Sequence, residues 1–142
     1  EYYGLGIAQV VAAKRGEDIS LDDGRVIENR KLTYTPYQPR SYAYCSDTQY
    51  SGKIVELVSG VDLLFHEATF AAEDKARAKL TGHSTSAQAA KTATEAGVGR
   101  LIIGHFSGRY KDVSLLEKQA REIFPDSHAV AEGETFEIKL KK

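Results

Sequence analysis

The stretch VDLLFHEATFAAEDKARAKLTGHSTS, residues 61–86, decides how the rest of the chain is read. It opens on a short apolar run from Val61 to Phe65, bounded by Gly60 and far too short to span a membrane, so it predicts a buried strand. His66 and Glu67 stand where that run ends. After a polar segment rich in Ala and Lys, His83 appears in Gly82-His83-Ser84-Thr85, just ahead of a helix start. Strand ends and helix N-termini hold polar groups at the rim of a core, so two histidines and a carboxylate at such boundaries have the form of a site.

The flanking sequence alternates in the same way. Residues 41–45 predict a strand and residues 52–58 a short helix with Ile54, Val55 and Val58 on one face. Helical signal returns over residues 71–80. Thr85-x-x-Gln88 has capping-box form, with Ala87, Ala90, Ala93 and Ala96 along the helix behind it and Gly97 at its close. Residues 100–103 predict another buried strand, ending at Gly104-His105. Ser114-x-x-Glu117 predicts a capped helix with Leu116, Ala120, Ile123 and Phe124 on its apolar face, stopped by Pro125, and residues 129–131 and 135–140 predict two final strands. Toward the amino terminus, residues 3–16 predict a short helix carrying Ile7, Val10 and Val11. Asp22-Asp23-Gly24-Arg25 predicts a hairpin turn, and residues 30–40, with Pro36 and Pro39, predict an extended segment.

Strands alternating with helices point to an α/β layer architecture with an at least partly parallel sheet. Ser46-Asp47-Thr48, His66-Glu67 and His105-Phe106-Ser107 each follow one of the predicted strands. In a parallel sheet all three emerge at the carboxyl edge, where open α/β sheets place their ligands, and His83 can join them there. Every one of these residues also has a structural reading. Asp47 can begin a turn, His105 can be a core histidine, and Glu67 can satisfy a backbone donor or His83. His66 reads as structural, pointing away from Glu67; His128 as an exposed turn residue; Cys45 as a packed thiol; Arg109 and Tyr110 as a surface pair.

At 142 residues the chain is one domain's worth, with 42% hydrophobic and 27% charged residues and no apolar run long enough for a membrane span. The formal net charge of -1 provides no global field for nucleic acid, so such a partner needs a local patch. A single cysteine excludes a disulfide framework and a multi-thiolate zinc site, and fits the cytoplasm. The chain contains no methionine, so Glu1 is not an untouched translation start; a removed leader or a longer protein is expected.

Tyr44-Cys45-Ser46-Asp47-Thr48, Leu64-Phe65-His66-Glu67-Ala68-Thr69-Phe70, Gly82-His83-Ser84-Thr85 and Gly104-His105-Phe106-Ser107-Gly108-Arg109-Tyr110 together resemble the carboxyl-terminal half of the ribonuclease Z family, tRNA 3'-processing endonucleases of the metallo-β-lactamase superfamily. The resemblance implies that Asp47 bridges two catalytic zinc ions and that His105 is a ligand of one. It implies that His83, oriented by Glu67, donates a proton or stabilises charge on the scissile phosphate, and that Arg109 and Ser107 lie on the substrate-phosphate side. Neutral imidazole and carboxylate suit zinc, and a carboxylate-held histidine can serve as a positioned acid.

The family's His-x-His-x-Asp-His metal motif is absent from this sequence, and so is its protruding tRNA-gripping arm. Asp47 and His105 alone cannot hold a zinc pair, since one catalytic zinc normally takes three protein ligands. The chain is therefore expected to be half of a metallo-β-lactamase αββα sandwich spanning residues 1–142, a mixed sheet with helices on its outer face. Its apolar inner face would need the missing amino-terminal half or a second copy, as in a homodimer. The implied function is part of a zinc endoribonuclease that removes the 3' trailer from precursor tRNA, inactive as this portion alone. Two other readings stay open: a metallo-β-lactamase-fold phosphodiesterase or sulfatase acting on small esters, and a non-catalytic dimerisation or scaffold half.

Overall fold

The computed structural model describes residues 3–33 and 39–140. They belong to two compact units, Glu1–Gln38 with Lys141–Lys142, and Pro39–Leu140. The first unit contains helix α1 (Ile7–Lys14), strands β1 (Ile19–Ser20) and β2 (Val26–Ile27), and the short helix α2 (Asn29–Leu32). The two strands form the expected antiparallel hairpin, with Ile19 opposite Ile27 and both buried beside Ala13 in this unit's core. The apolar trio of α1 is not the buried face, since Ile7 is 87% exposed and Val10 and Val11 are also exposed. Residues 30–32 are helical rather than extended. The Asn29 amide donates to Ala13 O (2.6 Å), and the Asn29 backbone N–H donates to Asp18 Oδ1 (2.7 Å), which anchors the start of that turn. Residues 34–38 of the expected extended segment lie outside the described residues.

The second unit is built on strands β3 (Tyr42–Cys45), β4 (Leu63–Glu67), β5 (Arg100–Gly104) and β6 (Ser127–Ala129), hydrogen-bonded in that order. Helices α3 (Gly52–Leu57), α4 (Lys75–Thr81, preceded by a 3-10 turn), α5 (Ser86–Ala96) and α6 (Ser114–Ile123) connect them. All pairings in this sheet are parallel, so the antiparallel component of the expected mixed sheet does not occur among the described residues. β6 begins two residues before the expected strand, and residues 135–140 form no described ladder despite their alternating pattern. Phe136 and Ile138 of that segment instead line a cavity of about 390 Å³ with Tyr42, Leu63 and Ile102.

Alternation along the strands sends Leu64, Leu101 and Ile103 to one face. There they pack against Ala89, Ala90, Ala93 and Ala96 of α5 and Leu116 and Ala120 of α6, all buried. The small α5 residues let that helix approach the sheet closely, and Ala89 takes the buried place expected for the half-buried Ala87. The α5 capping box forms as read, with Gln88 N–H donating to Thr85 Oγ1 (3.2 Å) and Thr85 N–H to Gln88 Oε1 (2.9 Å). At α6 the expected box does not form. Ser114 is already the first helical residue, and Asp112 takes the capping role by accepting its backbone N–H (2.9 Å).

The opposite sheet face carries Leu63, Phe65 and Ile102 together with Tyr42 and Tyr44, which remain more than half exposed. Tyr44 and Phe65 stack with ring centroids 4.5 Å apart. Gly104 closes β5 because that ring lies against it: a Cβ there would meet Phe65 Cε2 at 2.8 Å and Val130 Cγ2 at 3.0 Å. Gly104→Ala should therefore lower unfolding free energy by about 1–3 kcal/mol through overpacking. Chemical denaturation checks this, and a Phe65→Leu partner substitution should restore part of the loss.

Candidate active site

Parallel register brings the carboxyl ends of three strands level, with Cys45 opposite His66, His66 opposite Ile103 and Glu67 opposite Gly104. The chain leaves β3 through Asp47 and β5 through His105, and both residues hold left-handed backbone, φ 49° and 59°. These are the only non-glycine residues with positive φ among those described. Such a conformation costs about 1–2 kcal/mol per residue, so the surrounding fold holds two strained residues side by side at one edge.

His83 arrives from another direction. Gly82 ends α4 in left-handed conformation (φ 80°), which turns the chain so that His83 N–H donates back to Ala78 O (2.9 Å). A short parallel bridge between Phe70 and Thr85 then pins this turn against the loop following β4.

Glu67 joins these pieces. Its carboxylate is fully buried and accepts five hydrogen bonds. Oε1 takes Thr48 N–H (3.0 Å) and His83 Nδ1–H (2.8 Å); Oε2 takes Thr69 N–H (3.1 Å), the Thr69 hydroxyl (2.7 Å) and Ser84 N–H (3.1 Å). Burial pushes the Glu67 carboxyl up. The bonds from Thr69, Ser84 and His83 outweigh it and hold the group below the usual glutamate range, hence ionised.

That acceptor fixes two tautomers. His83 gives its Nδ1 hydrogen to Glu67, leaving Nε2 to face the site. The Thr69 hydroxyl gives its single hydrogen to Glu67, so at 3.0 Å it can only accept from His105 Nδ1–H. In neutral His105 the free electron pair is then on Nε2, which stands 3.4 Å from Asp47 Oδ1. Two acceptors at that distance, both turned to solvent, are placed to share a cation. Two ligands about 2.0–2.1 Å from a tetrahedral zinc lie roughly 3.4 Å apart, so the Asp47–His105 pair suits such an ion. The ligating atoms of Asp47, His83 and His105 all lie within 4.8 Å of one another, a His/His/carboxylate donor set typical of zinc. Asp47 and His105 are open to solvent, whereas His83 is mostly covered.

Ser107 and Arg109 lie on the flank. Ser107 N–H donates to Thr69 O (3.0 Å), which ties the turn after His105 to the loop after β4. The Arg109 guanidinium lies 5.3 Å from the centre of the Phe70 ring, whose edge in turn meets His83 with centroids 6.3 Å apart. Arg109 also approaches Asp74 Oδ2 (3.6 Å), the carboxylate oxygen that accepts the Tyr110 hydroxyl (2.5 Å), so Arg109 and Tyr110 share a partner rather than forming a simple surface pair. Thr69, Phe70 and Asp74 were not marked by the sequence as site residues. The one available signal was a hydroxyl two positions after a strand-end carboxylate.

The other histidines have structural places. His66 is fully buried on the helix side with Nδ1 2.7 Å from Glu67 O, and burial holds it below the ordinary histidine range and therefore neutral. His128 is not an exposed turn residue: it lies in β6, half-buried, with Nε2 2.7 Å from Glu134 Oε1. Cys45 is a half-buried free thiol, pushed up by burial.

Residues 22–106, more than half of the chain, match the beta-lactamase superfamily domain, and the chain belongs to that superfamily. A solved member of the same fold, the metallo-beta-lactamase fold protein YhfI from Bacillus subtilis, superposes with a TM-score of 0.57 at 28% identity over 62% of this chain and 35% of that one. Within the superfamily the chain is 50% identical over 140 residues to ribonuclease Z of Porphyromonas gingivalis, covering 99% of this chain and 45% of the relative. It is 52% identical over 127 residues to ribonuclease Z of Bacteroides fragilis, covering 89% and 42%. The chain thus spans less than half the length of these relatives.

Glu67→Ala should strip the acceptor from buried donors of three segments and destabilise the fold by about 3–5 kcal/mol. Urea unfolding measures the loss; a change below about 1 kcal/mol, the range of an exposed ion pair, would contradict the carboxylate's assigned role.

Proposed function

We propose that this chain supplies the carboxyl-terminal half of a zinc-dependent endoribonuclease that removes the 3' trailer from precursor tRNA. The observation that carries the reading is the meeting of Asp47, His83 and His105 at one sheet edge, with both imidazole rings held in orientation by hydrogen bonds. Half-length correspondence to proteins named ribonuclease Z supports the substrate class. Asp47 and His105 would hold metal, with the remaining ligands coming from the amino-terminal half. Zinc in such a site supplies charge stabilisation at phosphoryl oxygens and acidifies water.

The chain's own residues account for the rest. Glu67 fixes His83 through Nδ1, so Nε2 faces the leaving oxygen, and it is the doubly protonated ring that delivers its Nε2 proton there or steadies the charge, returning to the Nδ1–H form. Thr69 sets the His105 ring so that Nε2 faces Asp47. Arg109, braced by Asp74 and Phe70, lies where a non-bridging phosphate oxygen can be received. The exposed aromatic face carrying Tyr42 and Tyr44 suits the missing half of the sandwich as its partner, or a second copy in a homodimer. A single half-buried thiol is compatible with the cytoplasm.

In the complete enzyme, Asp47→Ala or a chelator should abolish both bound zinc and cleavage of precursor tRNA. His83→Ala should slow cleavage about 10²–10⁴-fold while zinc content stays near wild type. Parallel loss of zinc and turnover in His83→Ala would overturn its role as proton donor and make it a ligand. Turnover of a small chromogenic diester with none of precursor tRNA would favour the small-ester reading, and indifference to both chelator and Asp47→Ala would favour a scaffold.

A further inference from the structure

Beside His83 a groove of about 440 Å³ is lined by Gln49, Tyr50, Lys75, Lys79 and Gln88, and His83 itself forms part of its wall. Its charge is one-sided. Lys75 and Lys79 are exposed, and neither side-chain ammonium group has a hydrogen-bond or ion-pair partner among the described residues. No carboxylate lines the groove. The acidic residues just ahead of α4 are engaged elsewhere, Glu73 with the Gln119 amide (2.9 Å) and Asp74 with Tyr110 and Arg109.

The spacing adds to this. Lys75 and Lys79 are one turn apart on α4, about 6 Å along the axis, and like charges at that separation repel by a few tenths of a kcal/mol. The helix bears that repulsion with no internal counter-charge, an arrangement that a polyanion would relieve. Hydrogen bonds tie the opposite wall together. The Tyr50 hydroxyl donates to Glu95 Oε2 (2.6 Å) and accepts from Lys91 Nζ (2.7 Å), and Gln49 Nε2 donates to Lys79 O (3.1 Å), tying the loop after β3 to α4 across the groove. A fixed aromatic ring, amides and two unpaired ammonium groups are the components with which proteins hold single-stranded nucleic acid.

We propose that this groove is a binding subsite for the single-stranded RNA that runs away from the scissile bond, with Lys75 and Lys79 each receiving a backbone phosphate and Tyr50 and the two glutamines meeting sugar and base. The proposal rests on the endoribonuclease reading above and extends it, because it assigns a local basic patch to a chain whose net charge provides none. Neither lysine touches the Asp47–His83–His105 centre through any described bond, so their effect is on binding rather than on the chemical step.

The test uses the complete enzyme and compares Lys75→Ala/Lys79→Ala with Lys75→Arg/Lys79→Arg and wild type. The alanine pair should raise KM for precursor tRNA about tenfold at low salt with kcat little changed, and should flatten the plot of log affinity against log salt by about 1.4, two single-strand phosphate contacts at roughly 0.7 each. The arginine pair should keep the wild-type slope, and turnover of a small chromogenic diester should be unchanged in both. An unchanged KM and salt slope in the alanine pair, with wild type cleaving precursor tRNA, overturns the groove and leaves the enzyme reading standing. A kcat loss shared by the small diester overturns it as well, by moving the lysines into the chemistry. Wild type that turns over the diester but not precursor tRNA overturns the enzyme reading and the groove with it.

Discussion

The buried Glu67 carboxylate is the constraint on which the site depends. An ionised group without solvent is tolerated only when its lone pairs are filled, and Glu67 fills them from the loop after β3, the loop after β4 and the turn after α4. None of those segments belongs to a regular element at the point of contact. The carboxylate gathers all three, and the Phe70–Thr85 bridge and the Ser84 hydroxyl bond to Thr48 O (2.7 Å) hold them beside it. The same demand sets which nitrogen of His83 and, through Thr69, which nitrogen of His105 faces outward. Fold stability and the orientation of the two histidine rings are thus two outcomes of one hydrogen-bond set.

Around that anchor the sheet does the coarse positioning. A parallel ladder brings strand ends level without any site-specific interaction, and three βα turns then converge at one edge. The helices cover one face through small residues, which keeps the distance between α5 and the sheet short. The other face retains exposed tyrosines, and the superfamily match and the half-length correspondence to ribonuclease Z proteins account for such a face in the proposed reading.

Much of this architecture was legible in the sequence because its signals are local. Apolar runs bounded by glycine marked β4 and β5, the Thr85–Gln88 box marked α5, and strand-final polar residues marked Asp47, Glu67 and His105. The features that escaped are those set by distant partners. Ser114 fits a capping pattern, yet Asp112 reaches its N–H first. Residues 135–140 alternate as a strand should, but strand character requires a neighbour to pair with, and none is present among the described residues. Thr69 is an unremarkable hydroxyl until β5 brings His105, 36 positions later, to within a hydrogen bond of it.

The two left-handed residues carry a consequence for how such a protein changes over generations. Asp47 and His105 occupy backbone that glycine would adopt without penalty. Selection for heat tolerance alone therefore runs against the site, and a laboratory lineage sorted only for robustness would erode positions 47 and 105 early. In the proposed reading only a continued demand for turnover keeps their side chains, so a lineage freed of that demand is expected to drift toward a sturdier, inert descendant.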